Sequence, residues 1–574
     1  HTLYDTQSKV NLIYDWRAPV SGMFYDYELG EAFYSSPAGE IEGEVLLKRQ
    51  YHIRKGKWEY MIESSLTIHD DILQKELSSN ADEKMKNIVT TIQREQNRII
   101  RNEEAHLLII QGVAGSGKTS IALHRIAYLL YVMKGDISSR DILIISPNKV
   151  FADYISNVLP ELGEETVPEI SMEQILSGIL DHKFKYQNFF EQVSELLEKP
   201  AQGFVERIRY KSSYDFISQL DRFILYVENH YFKATDVQLT RHITVPAECI
   251  EEQFKRFNRY PMRRRFEPMT DYILELTTIQ CRFTVTIAEK NLLKKEIKKM
   301  FMGNYDIQVY KDFFEWIGRP ELFKMRKNHT LEYADLAPLA YLHLALDGNL
   351  AQSRVKHFLI DEMQDYSPIQ YRVIQKLYTC RKTILGDICQ SVSPYSSSTA
   401  DMIQRVVKLC KSYRSTFEIT DFAQKIRINE ELEPVMRHGQ SPKVLQFKNT
   451  EEEISGIGAL ISTFKVSVYQ SLGIVCKTET QAKALVQKLQ MYFEDVYLLS
   501  SLSSTFVKGV VVTSAHMAKG LEFDEVIVPQ VEDKNYNSTI DKSMLYVAVT
   551  RAMHKLTLTY SGARSEFIPE SLGK

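Results

Sequence analysis

The stretch that most constrains this chain is Gly112-Val-Ala-Gly115-Ser116-Gly117-Lys118-Thr119-Ser120, set between the apolar run LLII and the helical pattern SIALHRIAYLLY. Backbone without Cβ atoms can curl so that successive N–H groups meet one anion, and the helix that follows adds the favourable end of its dipole. A glycine-rich turn leading from a buried strand into a helix therefore predicts an α/β sheet that holds a polyphosphate at its edge. Lys118 supplies a compact positive charge for the β- and γ-phosphate oxygens, and Thr119 a hydroxyl ligand for Mg²⁺.

A second element, HFLIDEMQD, is an apolar strand that delivers Asp361 and Glu362 at its C-terminal end, where ligands sit in open α/β sheets. Asp361 is placed to hold Mg²⁺ and Glu362 to polarise an attacking water. Further buried-strand runs occur at ILIIS (142 to 146), TILGD (383 to 387), LGIVCK (472 to 477), VVVTS (510 to 514) and EVIVP (525 to 529). Separated by helical stretches, they predict two parallel-sheet lobes covered on both faces.

Residues 12 to 68 alternate apolar and polar side chains between glycines, which predicts a small β-rich N-terminal unit. Between Pro168 and Asn328 the strand runs fade and helical spacing takes over in QNFFEQVSELLEK, FISQLDRFILYVENHYF and NLLKKEIKKMF. Residues 251 to 330 carry 17 Lys+Arg against 11 Asp+Glu, including Arg263, Arg264, Arg265 and the group Lys294, Lys295, Lys298 and Lys299. Either a solvated helix face or a surface for nucleic acid or an acidic protein fits that excess. The whole chain has a formal charge of -3, so no overall basic field announces a nucleic-acid or membrane-surface protein. No apolar run approaches the roughly 20 residues of a membrane helix. The six cysteines form no CxxC pair, and they read as reduced thiols of a cytoplasmic protein.

The order of these motifs resembles the UvrD/Rep-type superfamily 1 helicases, whose second motif is DExQD. The resemblance implies an α/β fold of two RecA-like P-loop NTPase lobes, with a largely helical insertion in the first lobe and a small β-rich N-terminal unit. The expected division is 1–75 for the N-terminal unit, 76–165 and 330–408 for the first lobe, 166–329 for the insertion and 409–574 for the second lobe. It also implies ATP as substrate and roles for particular residues. Gln96 and Tyr413 meet adenine; Gly112, Gly115, Ser116, Gly117, Lys118, Thr119 and Ser120 hold the phosphates; Thr119 and Asp361 hold Mg²⁺. Glu362 activates water, Gln390 in LGDICQ senses the γ-phosphate, and Arg414 and Arg551 act as arginine fingers. Glu522 lies near the nucleotide sugar or the coupling hinge, with Thr513 and His516 toward a nucleic-acid track.

The pattern also departs from that family. The third motif runs on as QSVSPYSSSTADM and leaves only Tyr395 as an aromatic, and the stretch after ILII is Ser146-Pro147-Asn148. About 30 residues separate LGIVCK from VVVTS, where the family inserts an accessory 2B domain. LIYDWRAPVSGMFYDY, followed by GEIEGEVLLKRQYHIRKGKWEYMI, resembles the N-terminal region of the HelD branch, which lacks that domain. The branch implies a monomeric, cytoplasmic motor that binds bacterial RNA polymerase core and frees it from nucleic acid. It also implies an N-terminal arm upstream of His1 that this sequence lacks. The alternative is a 3′-to-5′ helicase or translocase acting directly on single-stranded DNA. Asp15, Trp16 and Arg17 are expected to form a β-core with one buried ion pair.

Overall fold

The computed structural model describes residues 2–36, 39–54, 56–63, 94–146, 159–160, 162–198, 200–281, 285–348, 354–391, 406–435, 437–500, 503 and 508–569. The N-terminal unit consists of three antiparallel hairpins and a short helix, Pro19–Asp26. Strands β1 (Leu3–Asp5) and β2 (Val10–Ile13) pair, as do β3 (Gly30–Ser36) with β4 (Gly39–Val45) and β5 (Arg49–Arg54) with β6 (Lys57–Glu63).

The first lobe is a six-stranded parallel sheet. Its strands are β7 (Leu107–Gly112), β8 (Ile142–Ile145), β9 (Glu169–Ile170), β10 (His357–Ile360), β11 (Arg381–Gly386) and β12 (Val406–Leu409), in the order β12-β7-β11-β10-β8-β9. Alternation along each strand decides which core a side chain joins. Leu108, Ile110 and Leu359 face helix Lys118–Val132, while Ile109, Phe358 and Ile360 face the insertion. A strand buried on both faces favours apolar residues at successive positions, so LLII and FLI carry no polar alternation, and His357 at the start of β10 is buried against Thr383. Burying each such side chain contributes roughly 1.5 to 3 kcal/mol.

The insertion does not stand apart, because Phe216, Phe223, Phe313 and Phe314 share one continuous core with that sheet face. The lobe sheet also reaches further along the chain than the strand runs suggested, since Glu169–Ile170 pairs with β8. Two residues are too short to leave a hydrophobic period.

The second lobe is again six parallel strands. They are β13 (Lys443–Gln446), β14 (Ser471–Cys476), β15 (Val496–Leu498), β16 (Gly509–Ser514), β17 (Phe523–Val528) and β18 (Ala552–Tyr560), in the order β13-β18-β17-β14-β16-β15. Val511 and Val526 face one core, and Val510, Val512 and Ile527 the other. The link between β14 and β16 holds only helix Glu479–Leu489 and β15 among its described residues.

Asp15 and Arg17 do form a buried ion pair, at 2.7 Å, but in a loop rather than a β-core. The Arg17 guanidinium stacks over Tyr131 and bonds Glu164, while Trp16 meets His124 edge-on. The motif docks the N-terminal unit onto the first lobe. That pairing holds the Asp15 carboxyl well below its usual range.

The basic excess at 251 to 330 largely turns inward or is compensated. Arg263 bonds Asp306 and Asp347, Arg265 bonds Glu228, and Lys294 pairs with Glu267. With His343 those two aspartates form a tight group whose charge the Arg263 guanidinium offsets in part.

Candidate active site

Most of the site hangs from the C-terminal edge of the first sheet or faces it from the second lobe, and Gln96 joins it from the helix ahead of β7. Strand β7 lies inside the sheet between β11 and β12, so the loop after Gly112 leaves from a rigid anchor. A Cβ on Gly112 would fall 2.4 Å from Ser116 Oγ, and Gly115 and Gly117 take φ of +72° and +75°. No other residue type fits those three positions without strain. Lys118 Nζ donates to the Gly112 and Val113 carbonyls at 2.7 and 3.1 Å, which holds the ammonium inside the curl. Ser116 Oγ is buried without a protein hydrogen-bond partner. A glycine cradle, an enclosed ammonium and an orphaned hydroxyl suit a phosphate group. Thr119 and Ser120 follow in the first helical turn.

Gln96, Gly117 and Tyr413 converge beside this loop although more than 300 residues separate the first from the last. Gln96 Nε2 donates to Tyr413 Oη at 3.4 Å, and the Tyr413 N–H donates to the Gly115 carbonyl at 3.3 Å. The Tyr413 hydroxyl would lie 1.8 Å from a Cβ on Gly117, so the ring rests directly against the loop and is 4% exposed.

Asp361 and Glu362 follow β10 as the sequence predicted, and Glu362 takes a left-handed backbone with φ of 51°. Such strain in a non-glycine residue persists only where its surroundings over-determine it. Here the Glu362 N–H donates to Asp361 Oδ1 at 2.8 Å, and the Asp361 N–H to the Ile145 carbonyl at 3.1 Å. Burial, reinforced by the charge of Glu362, pushes the Asp361 carboxyl up to about 7. Glu169 is raised to about 8 by burial and then by Asp361. Sequence reasoning missed Glu169, since a carboxylate in a two-residue strand carries no motif. A hard divalent cation takes oxygen ligands, so Thr119 and Asp361 are a chemically suitable pair for Mg²⁺.

A chain of hydrogen bonds runs from the second lobe to Glu362. Arg551 Nη2 donates to Gln390 Oε1 at 2.7 Å, and Gln390 Nε2 to Asp387 Oδ2 at 2.9 Å. The Asp387 N–H donates to Gln364 Oε1 at 3.0 Å, and Gln364 Nε2 donates to Glu362. Gly386 is required beside it, because a Cβ there would sit 2.4 Å from Gln364 Oε1. Arg551 also donates to the Val547 and Leu521 carbonyls. Burial lowers its guanidinium from the ordinary value, while the charges of Glu362, Glu522 and Asp387 oppose that shift.

One ion pair within the second lobe and one between the lobes flank this chain. Arg414 Nη1 bonds Glu522 Oε2 at 2.5 Å. Lys519 Nζ bonds Asp365 Oδ1 at 2.5 Å, with both side chains almost fully buried. Gln364 and Asp365 were visible in the motif, but their partners 23 and 154 residues away were not.

Thr513 and His516 are not on an open track. Thr513 is buried with its hydroxyl on the Leu499 carbonyl, and His516 is buried against Phe190 with ring centroids 5.6 Å apart. Phe190 belongs to helix Phe189–Glu198, whose Glu198 accepts from Thr480 Oγ1 at 2.5 Å. One helix of the insertion therefore packs on the second lobe. Tyr395, Pro147 and Asn148 lie outside the described residues.

A model of the UvrD/REP helicase N-terminal domain matches residues 92–411, more than half of the chain. The chain belongs to the UvrD/Rep helicase family. The UvrD-like helicase C-terminal domain matches residues 493–563, and the N-terminal domain of DNA helicase IV HelD matches residues 1–82. Together they make this a UvrD-like superfamily 1 chain of HelD type with two RecA-like lobes. Among curated proteins it is 22% identical over 449 residues to the ATP-dependent DNA helicase PcrA of Staphylococcus epidermidis, covering 74% of this chain and 52% of PcrA. It is 20% identical over 436 residues to the ATP-dependent DNA helicase Rep of Buchnera aphidicola, covering 71% of this chain and 55% of Rep. The chain thus spans about half the length of the curated relatives it matches. A solved C-terminal domain of a possible DNA helicase from a Lactobacillus is 32% identical over 27% of this chain and 92% of its own, with a TM-score of 0.24.

Proposed function

We propose that this chain is a Mg²⁺-dependent ATPase whose two lobes close on one nucleotide, and that it uses this closure to free bacterial RNA polymerase core from nucleic acid. The observation that carries the ATPase reading is the hydrogen-bond chain from Arg551 through Gln390, Asp387 and Gln364 to Glu362. It joins a cation of one lobe to the carboxylate of the other that is placed to orient water.

In this reading Gln96 and Tyr413 hold adenine, and the loop from Gly112 to Ser120 holds the phosphates with Lys118. Thr119 and Asp361 would hold Mg²⁺, which supplies charge neutralisation on the β- and γ-phosphates when bound. Glu362 takes the proton of the attacking water, and Gln390 reports the γ-phosphate to Arg551. Arg414 and Arg551 neutralise the charge that develops on the transferring group, an effect typically worth about 10³ to 10⁵ in rate. Glu522 positions Arg414. Because the arginines belong to the second lobe, hydrolysis and lobe closure are one event.

The partner is inferred from the N-terminal match to HelD and from the short link between β14 and β16, where strand-separating relatives carry a further domain. Such a motor works as a monomer in the cytoplasm. Among the described residues no helix is long and apolar enough to cross a membrane. Similarity to the ATP-dependent DNA helicases PcrA and Rep supports a second reading, direct action on DNA, for which the family resemblance implies a 3′-to-5′ helicase or translocase on single strands. Steady-state ATPase alone, with single-stranded DNA and with core RNA polymerase separates the two. Stimulation by polymerase is expected. Stimulation by DNA alone would favour the translocase, and no hydrolysis under any condition would overturn the site.

A further inference from the structure

The helix that carries Gln96 is held partly from outside the first lobe. Its described turns, 94–100, set Gln96 beside Asn97, and both side chains are buried. Successive helical residues point about 100° apart, so the two amides reach different neighbours. Gln96 faces the nucleotide loop, with Nε2 on Tyr413 Oη and 3.7 Å from where a Cβ on Gly117 would stand. Asn97 faces the N-terminal unit, where its Nδ2 donates to Asp26 Oδ1 at 2.7 Å. Asp26 is the last residue of the short helix Pro19–Asp26.

Arg101, four residues beyond Asn97, completes the joint. Its Nε donates to Asn97 Oδ1 at 3.1 Å, and its Nη2 to the Trp16 carbonyl at 2.7 Å. The Asn97 carboxamide is therefore fixed at both ends, by a carboxylate of the N-terminal unit and by a guanidinium that the same unit holds. A Cβ on Gly22 would lie 3.5 Å from that guanidinium, so the short helix passes directly over it. On the lobe side, Arg125 Nη1 donates to the Ile99 and Ile100 carbonyls at 2.9 and 3.3 Å. The lobe thus fixes the C-terminal turn, while the N-terminal unit holds the turn that presents Gln96. A carboxamide matches the adenine edge, with an acceptor for N6–H₂ and a donor for N7, whereas guanine presents the acceptor O6 at the first of these positions. Such discrimination depends on how firmly the carboxamide is held, because a misaligned hydrogen bond weakens steeply.

We propose that Asp26, through Asn97, is a positioning residue for Gln96, so that docking of the N-terminal unit sets both the affinity and the adenine preference of the nucleotide site. The proposal rests on the reading of Gln96 as the residue that meets adenine. By linkage, a partner that grips the N-terminal unit and shifts the helix Pro19–Asp26 changes nucleotide affinity, and nucleotide changes that partner's affinity by the same factor.

The test is nucleotide binding by the full chain, read as anisotropy of a fluorescent ATP displaced by unlabelled ATP or GTP with Mg²⁺, beside steady-state hydrolysis. Asp26→Ala should weaken ATP binding about tenfold, the size of one hydrogen bond to a charged group, and lower the preference for ATP over GTP by a similar factor. The rate at saturating ATP should hold, because the phosphate loop, Glu362 and the arginines are untouched. Asp26→Asn keeps an acceptor for Asn97 Nδ2 and should restore affinity and preference. Gln96→Ala should itself abolish the preference, and adding Asp26→Ala to it should cost little more. Denaturant melts of each variant allow comparison per folded molecule. Unchanged affinity and preference in Asp26→Ala would overturn the proposal. So would a full further loss on adding Asp26→Ala to Gln96→Ala, which is what a purely structural role gives. A wild-type chain that binds ATP and GTP equally would overturn the role of Gln96 and this proposal with it, whereas one that binds neither would overturn the nucleotide site itself.

Discussion

The cleft between the lobes and the seam where the helical insertion meets helix Tyr333–Leu346 both concentrate charge, yet they are built oppositely. At the seam Lys211 bonds Asp335 at 2.5 Å, Arg207 bonds Glu332, and Tyr310 donates to Asp335 at 2.8 Å. Lys211 and Asp335 are 1% and 0% exposed. Burial still raises the Asp335 carboxyl above its ordinary value, although Lys211 opposes it. In the cleft Arg414 and Glu522 remain 22% and 26% exposed, Glu362 sits on a strained backbone, and Ser116 Oγ has no protein partner. A charge set paired within itself and almost fully buried, even one that leaves Asp335 Oδ2 without a hydrogen bond, stabilises or specifies packing, whereas one left with backbone strain and partial exposure is arranged for something else to complete it.

Substitutions should separate the two regions by what they disturb. In the cleft, Lys118→Ala and Glu362→Gln should abolish turnover. A nucleotide-binding assay should show that Glu362→Gln still takes ATP, because in the proposed mechanism the substitution removes the base and keeps Asp361, which would hold Mg²⁺. Unchanged hydrolysis in either variant would remove the distinction. Arg551→Ala should cost about 10³-fold or more in single-turnover hydrolysis. In the insertion, Lys211→Met should leave a buried carboxylate uncompensated and lower unfolding free energy by about 3 to 5 kcal/mol, read from denaturant melts. Hydrolysis per folded molecule should stay at the wild-type rate.

A smaller effect depends on pH. Burial holds His357 at about 3 and His516 at about 4. Their unfolded values lie near ~6.5, so below that pH the unfolded chain binds more protons than the folded one. The stability tied to these neutral rings is complete above ~6.5 and is lost as pH falls toward their folded values. Each contributes a slope of up to about 1.4 kcal/mol per pH unit in that window. Denaturant melts between neutral and mildly acidic pH should show it, and His357→Gln should flatten it. An unchanged slope in that variant would exclude His357 as a source.

The parts legible in the sequence were those whose constraint is local. A phosphate loop needs glycines at fixed spacing, and a strand buried on both faces needs an unbroken apolar run, so Gly112 to Thr119, Asp361 and Glu362 announced themselves. Partnerships across the chain did not. Nothing near Asp365 predicts Lys519, and nothing near Arg263 predicts Asp306 and Asp347, which lie 43 and 84 residues away. A run such as Arg263 to Arg265 therefore reads alike whether it faces water or folds onto distant carboxylates. His516 shows the same limit, since its burial depends on Phe190 from another region. Glu169 was invisible because pairing with β8, rather than periodicity, makes its segment a strand.

The central claim is that Arg551 and Gln390 act as one unit across the cleft. A double-mutant cycle on single-turnover ATP hydrolysis, with Arg551→Ala, Gln390→Ala and the pair, tests it directly. Residues that act together lose little more when both are removed than when one is. The double variant is therefore predicted to hydrolyse ATP at nearly the rate of the slower single variant. If the two losses multiply, the arginine and the glutamine work independently and the relay from the second lobe to Glu362 is wrong.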